Sequence, residues 1–348
     1  MTRIDVTIRG AGAFGLACAW SCARRGAKVR VVDPFGVGAG SSGGIVGALA
    51  PHVPENWNAK KAFQLDSLLM AADYWQEIET KSGLLSGYAR LGRVQPLADD
   101  HAVSLAKGRE VTAKELWQDN ATWAVTDTPG TFAPDSPTGL FIFDTLTARI
   151  HPRKACLALV EAIRAAGGEI VEDAPDQGPV IHATGVAGLE EMSAQAGRMI
   201  GVGVKGQAAL LQFDARDMPQ VFANTVHIVP HADGTVAIGS TSEREYDDPS
   251  STDAALDDVI AAAIQAVPAL ADAPVIERWA GVRPRSRSRA PMLGAWPGRG
   301  GHFIANGGFK IGFGMAPKVG EVMADLVLDG RDEVPEDFLA AALWPSSS

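Results

Sequence analysis

The chain has 348 residues, and its 41 acidic and 31 basic side chains give a net charge of −10. This length exceeds one ordinary hydrophobic core and predicts two domains. The negative charge argues against a nucleic-acid partner, and no apolar run reaches the ~20 residues that a transmembrane helix needs. Three cysteines, Cys18, Cys22 and Cys156, are too few for a disulfide framework, so we expect a cytoplasmic protein in which Cys18 and Cys22 are small buried helix residues.

The first 33 residues predict a strand, a glycine-rich turn, a helix and a second strand that ends in an acid. The turn has the pattern Gly-x-Gly-x-x-Gly at Gly10, Gly12 and Gly15, and the acid is Asp33. These glycines allow a tight turn, close approach to a pyrophosphate and close helix packing, while Asp33 is placed to bind a ribose. The segment therefore predicts a dinucleotide site. Arg9 departs from the usual apolar residue before the first glycine, and we expect it to reach solvent.

The next segments predict a phosphate-binding loop and a long helix. Residues 34–44 are mostly glycine and serine, a composition that suits a nest of backbone N–H groups around phosphate. Residues 63–81 have the apolar spacing of an amphipathic helix. Residues 90–145 lose that spacing and collect proline, aspartate and threonine, which favours strands and loops.

The middle of the chain predicts a return to the first sheet and then a change of sheet type. A helix at 152–166, with proline at its first position, precedes strands at 169–171 and 179–185. Strands at 226–230 and 235–239, joined through an Asp-Gly turn, predict an antiparallel hairpin.

The last third predicts a helix at 253–267, strand and loop at 279–294, a strand at 302–308 and a helix at 316–328. We therefore predict an α/β fold with an α+β second domain. The dinucleotide-binding domain takes residues 1–80, 145–200 and 290–340, and the substrate domain takes residues 81–144 and 201–289.

Several short motifs fall in a characteristic order along the chain. They are the turn from Gly10 to Gly15, Asp33, Gly40-Ser41-Ser42-Gly43, His151-Pro152-Arg153, Ala183-Thr184-Gly185, Val229-Pro230, the stretch from Trp279 to Pro284, and the stretch from Gly307 to Gly312 with Ala316-Pro317. Together they resemble the FAD-dependent D-amino acid oxidase superfamily, most of all the glycine oxidases and related amine-oxidising flavoproteins. The resemblance covers nearly the whole chain and implies a Rossmann-like FAD-binding domain with a discontinuous, mainly antiparallel-sheet substrate domain.

The resemblance implies FAD as the cofactor and no metal. Segment 44–50 would lie along the isoalloxazine ring, Val171 near the adenine, and segment 307–312 at the pyrimidine edge of the flavin. There Lys310 or the following helix N-terminus would stabilise the negative charge of the reduced flavin. The residues implied to bind FAD are Gly10, Gly12, Ala13, Phe14, Gly15, Asp33, Ser41, Ser42, Gly43, Gly47, Leu49, Val171, Ala183, Thr184, Gly185, Arg283, Gly307, Gly308, Phe309, Lys310, Ile311 and Gly312.

Arg283 is the first candidate for a catalytic-site residue, because the arginine of Gly-x-Arg-Pro in similar enzymes pairs with the substrate carboxylate. His227 stands where the most similar proteins often have a tyrosine, and Tyr246 is a candidate to replace that tyrosine. His52 follows the flavin-lining segment and is a further candidate. Four arginines alternate and are expected to share one face of an extended segment, where a second one facing the pocket would suit a substrate with a second acid: Arg283, Arg285, Arg287 and Arg289.

The predicted reaction is oxidation of the C–N bond of an amino acid or small amine, such as a D-amino acid or glycine. A hydride passes to flavin N5, the imine hydrolyses to a 2-oxo acid, and oxygen or an electron carrier reoxidises the flavin. Two alternatives stay open: an FAD-dependent dehydrogenase of a 2-hydroxy acid or N-methyl amino acid, and a non-catalytic FAD-binding module. The sequence predicts no oligomeric state.

Overall fold

In the computed structural model, which describes residues 3 to 344, the strands form a six-stranded sheet, an eight-stranded sheet and a two-stranded ribbon. The helices are α1 (Ala13–Ala23), α2 (Ala59–Ser82), α3 (Asp100–Trp117), α4 (Pro152–Ala165), α5 (Gly185–Ala196), α6 (Ala254–Ala266) and α7 (Gly312–Asp329). The strands are β1 (Val6–Arg9), β2 (Val29–Val32), β3 (Ala48–Leu49), β4 (Arg93–Pro96), β5 (Trp123–Thr126), β6 (Phe141–Asp144), β7 (Ala148–Arg149), β8 (Glu169–Val171), β9 (Val180–His182), β10 (Gly201–Gln212), β11 (Gln220–Ala223), β12 (Val226–Pro230), β13 (Thr235–Gly239), β14 (Val275–Ser286), β15 (Met292–Ala295) and β16 (His302–Asn306). None of the helices in the described range has the length and apolarity needed to cross a bilayer.

The six-stranded sheet has the order β15-β16-β9-β1-β2-β8. All its neighbours are parallel except β15, which runs antiparallel to β16 at one edge. Parallel strands need helical crossovers, and α1 supplies the first of them between β1 and β2. Every residue of α1 is buried. Cys18 and Cys22 on this helix are free and fully buried, as predicted.

The eight-stranded sheet has the order β14-β10-β13-β12-β11-β4-β6-β5. Its pairs are antiparallel except β11 with β4. The hairpin of β12 and β13 is the one that the Asp-Gly turn predicted. One face of this sheet packs on α6 through a second apolar core, so the predicted fold class is confirmed.

The two sheets draw on different stretches of the chain. Strands of the six-stranded sheet lie within 1–80, 145–200 and 290–340, and those of the eight-stranded sheet lie within 81–144 and 201–289. The domain boundaries themselves stay a prediction, and their first two residues lie outside the described range.

Three predicted segments differ from the structure. Residues 90–145 contain α3 as well as strands, because Asp99 caps an 18-residue helix by accepting a hydrogen bond from the N–H of Ala102 at 2.7 Å. Helix α7 begins at Gly312 instead of residue 316, so Pro317 lies inside its second turn. The alternating arginines do not share one face, because β14 ends at Ser286 and Arg289 has φ +60° in the turn that follows.

Candidate active site

A cleft with two connected lobes lies where β1, β2 and β9 end. The larger lobe, of about 740 Å³, is lined by residues of the first glycine turn, of segment 34–44 and of segment 307–312. We call it the glycine lobe. The smaller lobe, of about 410 Å³, is lined by Arg283 and is called the arginine lobe. The lobes form one continuous cleft because five residues line both: Ala13, Ser41, Ser42, Phe309 and Gly312.

The first glycine turn brings the backbone to the floor of the glycine lobe. Gly10 has φ +108°, and a Cβ on it would lie 2.3 Å from the carbonyl oxygen of Ala183. A Cβ on Gly15 would lie 1.9 Å from the carbonyl oxygen of Gly10. A Cβ on Gly12 would meet only the side chain of Ser42, at 3.1 Å from Oγ. Gly10 and Gly15 are therefore required by backbone packing, whereas Gly12 leaves space toward the lobe.

Asp33 is held rigidly at the end of β2. Its Oδ2 accepts a hydrogen bond from the N–H of Ala11 at 2.7 Å, and its Oδ1 accepts one from the N–H of Phe35 at 3.0 Å. Asp33 lines the glycine lobe, and each carboxylate oxygen keeps a lone pair for a hydroxyl donor. This position suits the ribose of a nucleotide.

Arg283 projects from β14 into the wall of the arginine lobe. Its Nη1 donates to Ser240 Oγ at 2.7 Å, and its Nη2 donates to the carbonyl oxygens of Thr241 at 2.7 Å and Lys205 at 3.2 Å. Its Nε is buried and has no partner among the described residues. Burial lowers the pKa of Arg283 to about 10, an effect that Glu243 partly opposes, so the group stays charged at neutral pH. The cation is thus paired only with neutral oxygens.

The arginine lobe also contains a second cation, Lys310, and a neutral histidine, His227. Lys310 Nζ and Arg283 Cζ lie 5.8 Å and 5.6 Å from the ring centroid of Phe309. Burial, with contributions from Arg93 and Lys310, lowers the pKa of His227 to about 3, so this ring is neutral at ordinary pH. Among the described residues, none that lines the arginine lobe is an aspartate or a glutamate. The lobe is therefore suited to anions.

Helix α7 adds a further positive end to the same lobe. Its first residues, Gly312, Phe313 and Gly314, line the arginine lobe. The first N–H groups of a helix have no intrahelical partners and carry a partial positive charge. The pyrimidine edge of a flavin, which becomes negative on reduction, fits this end of the cleft.

Most of the predicted site residues line the cleft. In the glycine lobe these are Gly10, Gly12, Ala13, Phe14, Asp33, Ser41, Ser42, Ala183, Thr184, Gly185, Gly307, Gly308, Phe309 and Gly312. In the arginine lobe they include Gly47, Leu49, His227, Arg283 and Lys310. The others, which border neither lobe, are Gly15, Gly43, Val171, Ile311, His52 and Tyr246.

Two candidates for catalysis, His52 and Tyr246, contact residues that lie outside both lobes. The backbone N–H of His52 donates to Gln64 Oε1 at 2.7 Å, and its ring Nδ1 contacts the same oxygen. The hydroxyl of Tyr246 lies against Gly203 of β10. Ser240 and Phe222 line the arginine lobe but carried no motif in the sequence that could have identified them, whereas Trp279 belongs to the stretch from Trp279 to Pro284 and was not singled out as a site residue.

Among residues 3 to 344, no cluster of three or more histidine, cysteine, aspartate or glutamate side chains is placed to hold a metal ion. The cleft instead offers an elongated dinucleotide a ribose acid, a glycine turn at α1 and a cationic end. Together with the parallel sheet, these features define a dinucleotide-dependent oxidoreductase in which a second, antiparallel sheet walls the reacting end.

The family model described as FAD dependent oxidoreductase (DAO) matches residues 5–326. The chain belongs to this family, and its cofactor is FAD. A glycine oxidase of Pseudomonas putida is 27% identical over 96% of this chain and 99% of that protein. A glycine oxidase of Pseudomonas aeruginosa is 36% identical over a shorter match, 38% of this chain and 36% of that protein.

Among solved structures, iminodiacetate oxidase from Chelativorans sp. BNC1 matches with a TM-score of 0.84, covering 96% of this chain and 98% of that one. Its sequence identity is 23%, so this likeness concerns the fold.

Proposed function

We propose that the protein oxidises the C–N bond of a small amine that carries a carboxylate, such as glycine or a D-amino acid. The observation that carries this proposal is Arg283, a charged side chain in the wall of the arginine lobe that pairs with no carboxylate of the described residues. The names of the two similar Pseudomonas proteins, both glycine oxidases, support the same substrate class.

Arg283 binds the substrate carboxylate and thereby orients the carbon that bears the amine. Charge-assisted hydrogen bonds from a guanidinium to a carboxylate are short and about twice as strong as neutral ones. Its present acceptors are a hydroxyl and two carbonyl oxygens, so a carboxylate replaces weaker neutral partners. The longest of these bonds, to Lys205 at 3.2 Å, is the first that a substrate oxygen displaces.

FAD, when bound, supplies the acceptor for a hydride equivalent. The substrate carbon loses that hydride, the nitrogen loses a proton, and the C–N single bond becomes an imine. Water then adds to the imine carbon and ammonia leaves, which gives a 2-oxo acid. The chain's own part is to hold the reacting C–H bond in place and to exclude water through the apolar walls of Phe222 and Trp279.

Anaerobic mixing of the FAD-loaded protein with a panel of compounds tests this proposal. Glycine, proline and D-amino acids are expected to bleach the flavin and yield a 2-oxo acid, and the corresponding amines without a carboxylate to react poorly. Bleaching by 2-hydroxy acids alone, or by sarcosine alone, would favour the alternative dehydrogenase. A protein that binds FAD but reacts with none of these compounds would indicate a binding module.

The matched variants are Arg283→Met and Arg278→Met. Arg278 lies on the same strand but pairs with Asp257 at 2.8 Å and does not line the cleft. Arg283→Met should raise KM for amino acids at least a hundredfold, while Arg278→Met should leave it unchanged. Equal KM values in the two variants would contradict the role of Arg283.

A further inference from the structure

We propose that the substrate carries a second anionic group besides its carboxylate, and that Lys310 binds this group. The inference rests on the proposed function, because it concerns the amine that the arginine lobe accepts. It names the substrate class as short amines with two acidic groups, such as amino dicarboxylic acids or N-carboxymethyl amino acids.

The first observation is an imbalance of charge. Arg283 and Lys310 both line the arginine lobe, and within the described range none of the lining residues is acidic. Glu243, the acid that acts on Arg283, is engaged by Gln207 Nε2 at 3.1 Å and by the hydroxyl of Thr241. Lys310 has no hydrogen bond or ion pair within residues 3 to 344. A single carboxylate therefore balances one of the two cations and leaves the other free.

The second observation is that both cations lie near the same aromatic ring. Both lie within reach of one aromatic ring, that of Phe309, at 5.6 Å for Arg283 and 5.8 Å for Lys310. The backbone holds this ring in place, since the N–H of Phe309 donates to the carbonyl oxygen of Pro284 at 3.0 Å. Desolvation by neighbouring atoms and the positive charge of Arg283 lower the pKa of Lys310, although the residue is exposed. An anionic group beside Lys310 reduces this repulsion.

The third observation concerns the space around Lys310. One residue separates it from α7, whose first residues, Gly312 to Gly314, line the same lobe and are expected at the pyrimidine edge of the flavin. Phe222 and Trp279 are apolar parts of the lining, and the volume of the lobe, about 410 Å³, suits a substrate with a short chain.

Arg285 is the other cation near this ring, at 5.8 Å from the Phe309 centroid. It does not line the arginine lobe. The alternating arginines of β14 therefore supply one cation to the lobe, and the second comes from the loop before α7.

Binding of two acids that lack an amine, propionate and succinate, separates the second anionic group from turnover. Each acid is titrated into the FAD-loaded protein at constant ionic strength, and binding is followed by the change in flavin absorbance and by calorimetry. The wild type should bind succinate at least tenfold more tightly than propionate. Lys310→Met should reduce this ratio to threefold or less with propionate affinity unchanged, and Lys310→Arg should restore it.

Lys107→Met is the matched control, because Lys107 is an exposed lysine of α3 that lines neither lobe. The inference is overturned if the wild type shows no preference for succinate, or if the preference survives in Lys310→Met. A change in flavin reduction potential without a change in the ratio would assign Lys310 to the reduced flavin instead, and would likewise overturn it. Oxidation of glycine by a protein with no preference for succinate would leave the proposed function standing. A Lys310-dependent preference without any amine oxidation would remove the proposed function and the substrate class, and would leave only an anion site at Lys310.

Discussion

Replacement of Gly12 by alanine should separate cofactor binding from folding. Gly12 has φ −90°, which any residue adopts, and an added Cβ meets only Ser42, at 3.1 Å from Oγ and 3.8 Å from Cβ. A rotatable hydroxyl can move by a few tenths of an ångström, so the free energy of unfolding of the apoprotein should fall by ~1 kcal/mol or less. The new methyl group lies where the backbone is expected to approach the pyrophosphate. We expect at least a tenfold loss of FAD affinity, ~1.4 kcal/mol.

Gly15→Ala is the contrasting variant. Its Cβ would lie 1.9 Å from the carbonyl oxygen of Gly10 and 3.2 Å from Cβ of Ala183, so the backbone must move. Overpacking of this kind costs ~1–3 kcal/mol or more, and the apoprotein itself should lose stability. Denaturant titration of both apoproteins and fluorescence titration with FAD measure the two effects separately. The reasoning is refuted if Gly12→Ala binds FAD like the wild type, or if it destabilises the apoprotein as much as Gly15→Ala does.

Three further predictions concern stability and pH. Burial lowers the pKa of His231 to about 4. In the unfolded state the ring takes up a proton near pH 6.5, whereas in the folded state it does so only near pH 4. The free energy of unfolding should therefore fall by ~3 kcal/mol between pH 6.5 and 4. His231→Gln should lack that part of the loss in denaturant titrations, and equal pH slopes would contradict the buried neutral ring. Asp99→Ala removes the cap from Ala102 and should cost ~1 kcal/mol by the same measurement, with no change in FAD affinity. Asp144→Ala leaves Arg93, now bonded to it at 3.0 Å and buried, without its partner and should cost ~3–5 kcal/mol; a loss below 1 kcal/mol would show that Arg93 finds another acceptor.

The first βαβ unit could be predicted because its geometry is local. Gly10 and Gly15 occupy places where a Cβ would strike backbone, and the acid at the end of β2 is fixed by an N–H two residues away and by that of Ala11. The backbone contact of Gly15 and the carboxylate contacts of Asp33 lie within this unit, whereas the backbone that excludes a Cβ from Gly10 belongs to Ala183, after β9.

Helix α3 could not be predicted from apolar spacing because its buried face is thin. Of its 18 residues, Ala106, Ala113 and Trp117 are buried, and alanine contributes little to a hydrophobic pattern. The available signal was the cap, Asp99, which is a strong helix start. The prediction for 90–145 rested on composition and took no account of that cap.

The surroundings of Arg283 could not be predicted because they come from distant parts of the chain. Its partners Ser240, Thr241 and Lys205 are brought to it by the pairing of β10 with β14 and by the end of β13. Arg9 was expected to reach solvent, and it is partly exposed, but its side chain also pairs with Asp176 at 2.8 Å. Neither contact has a signature in the local sequence.

The central claim is that the cleft places a substrate carboxylate on Arg283 beside the flavin. A crystal structure of the FAD-loaded protein with an unreactive carboxylate tests it most directly. We predict a carboxylate oxygen within ~3 Å of a guanidinium nitrogen of Arg283, with the ribose of FAD at Asp33. A carboxylate bound elsewhere, while Arg283 keeps its contacts to Ser240, Thr241 and Lys205, would contradict the account.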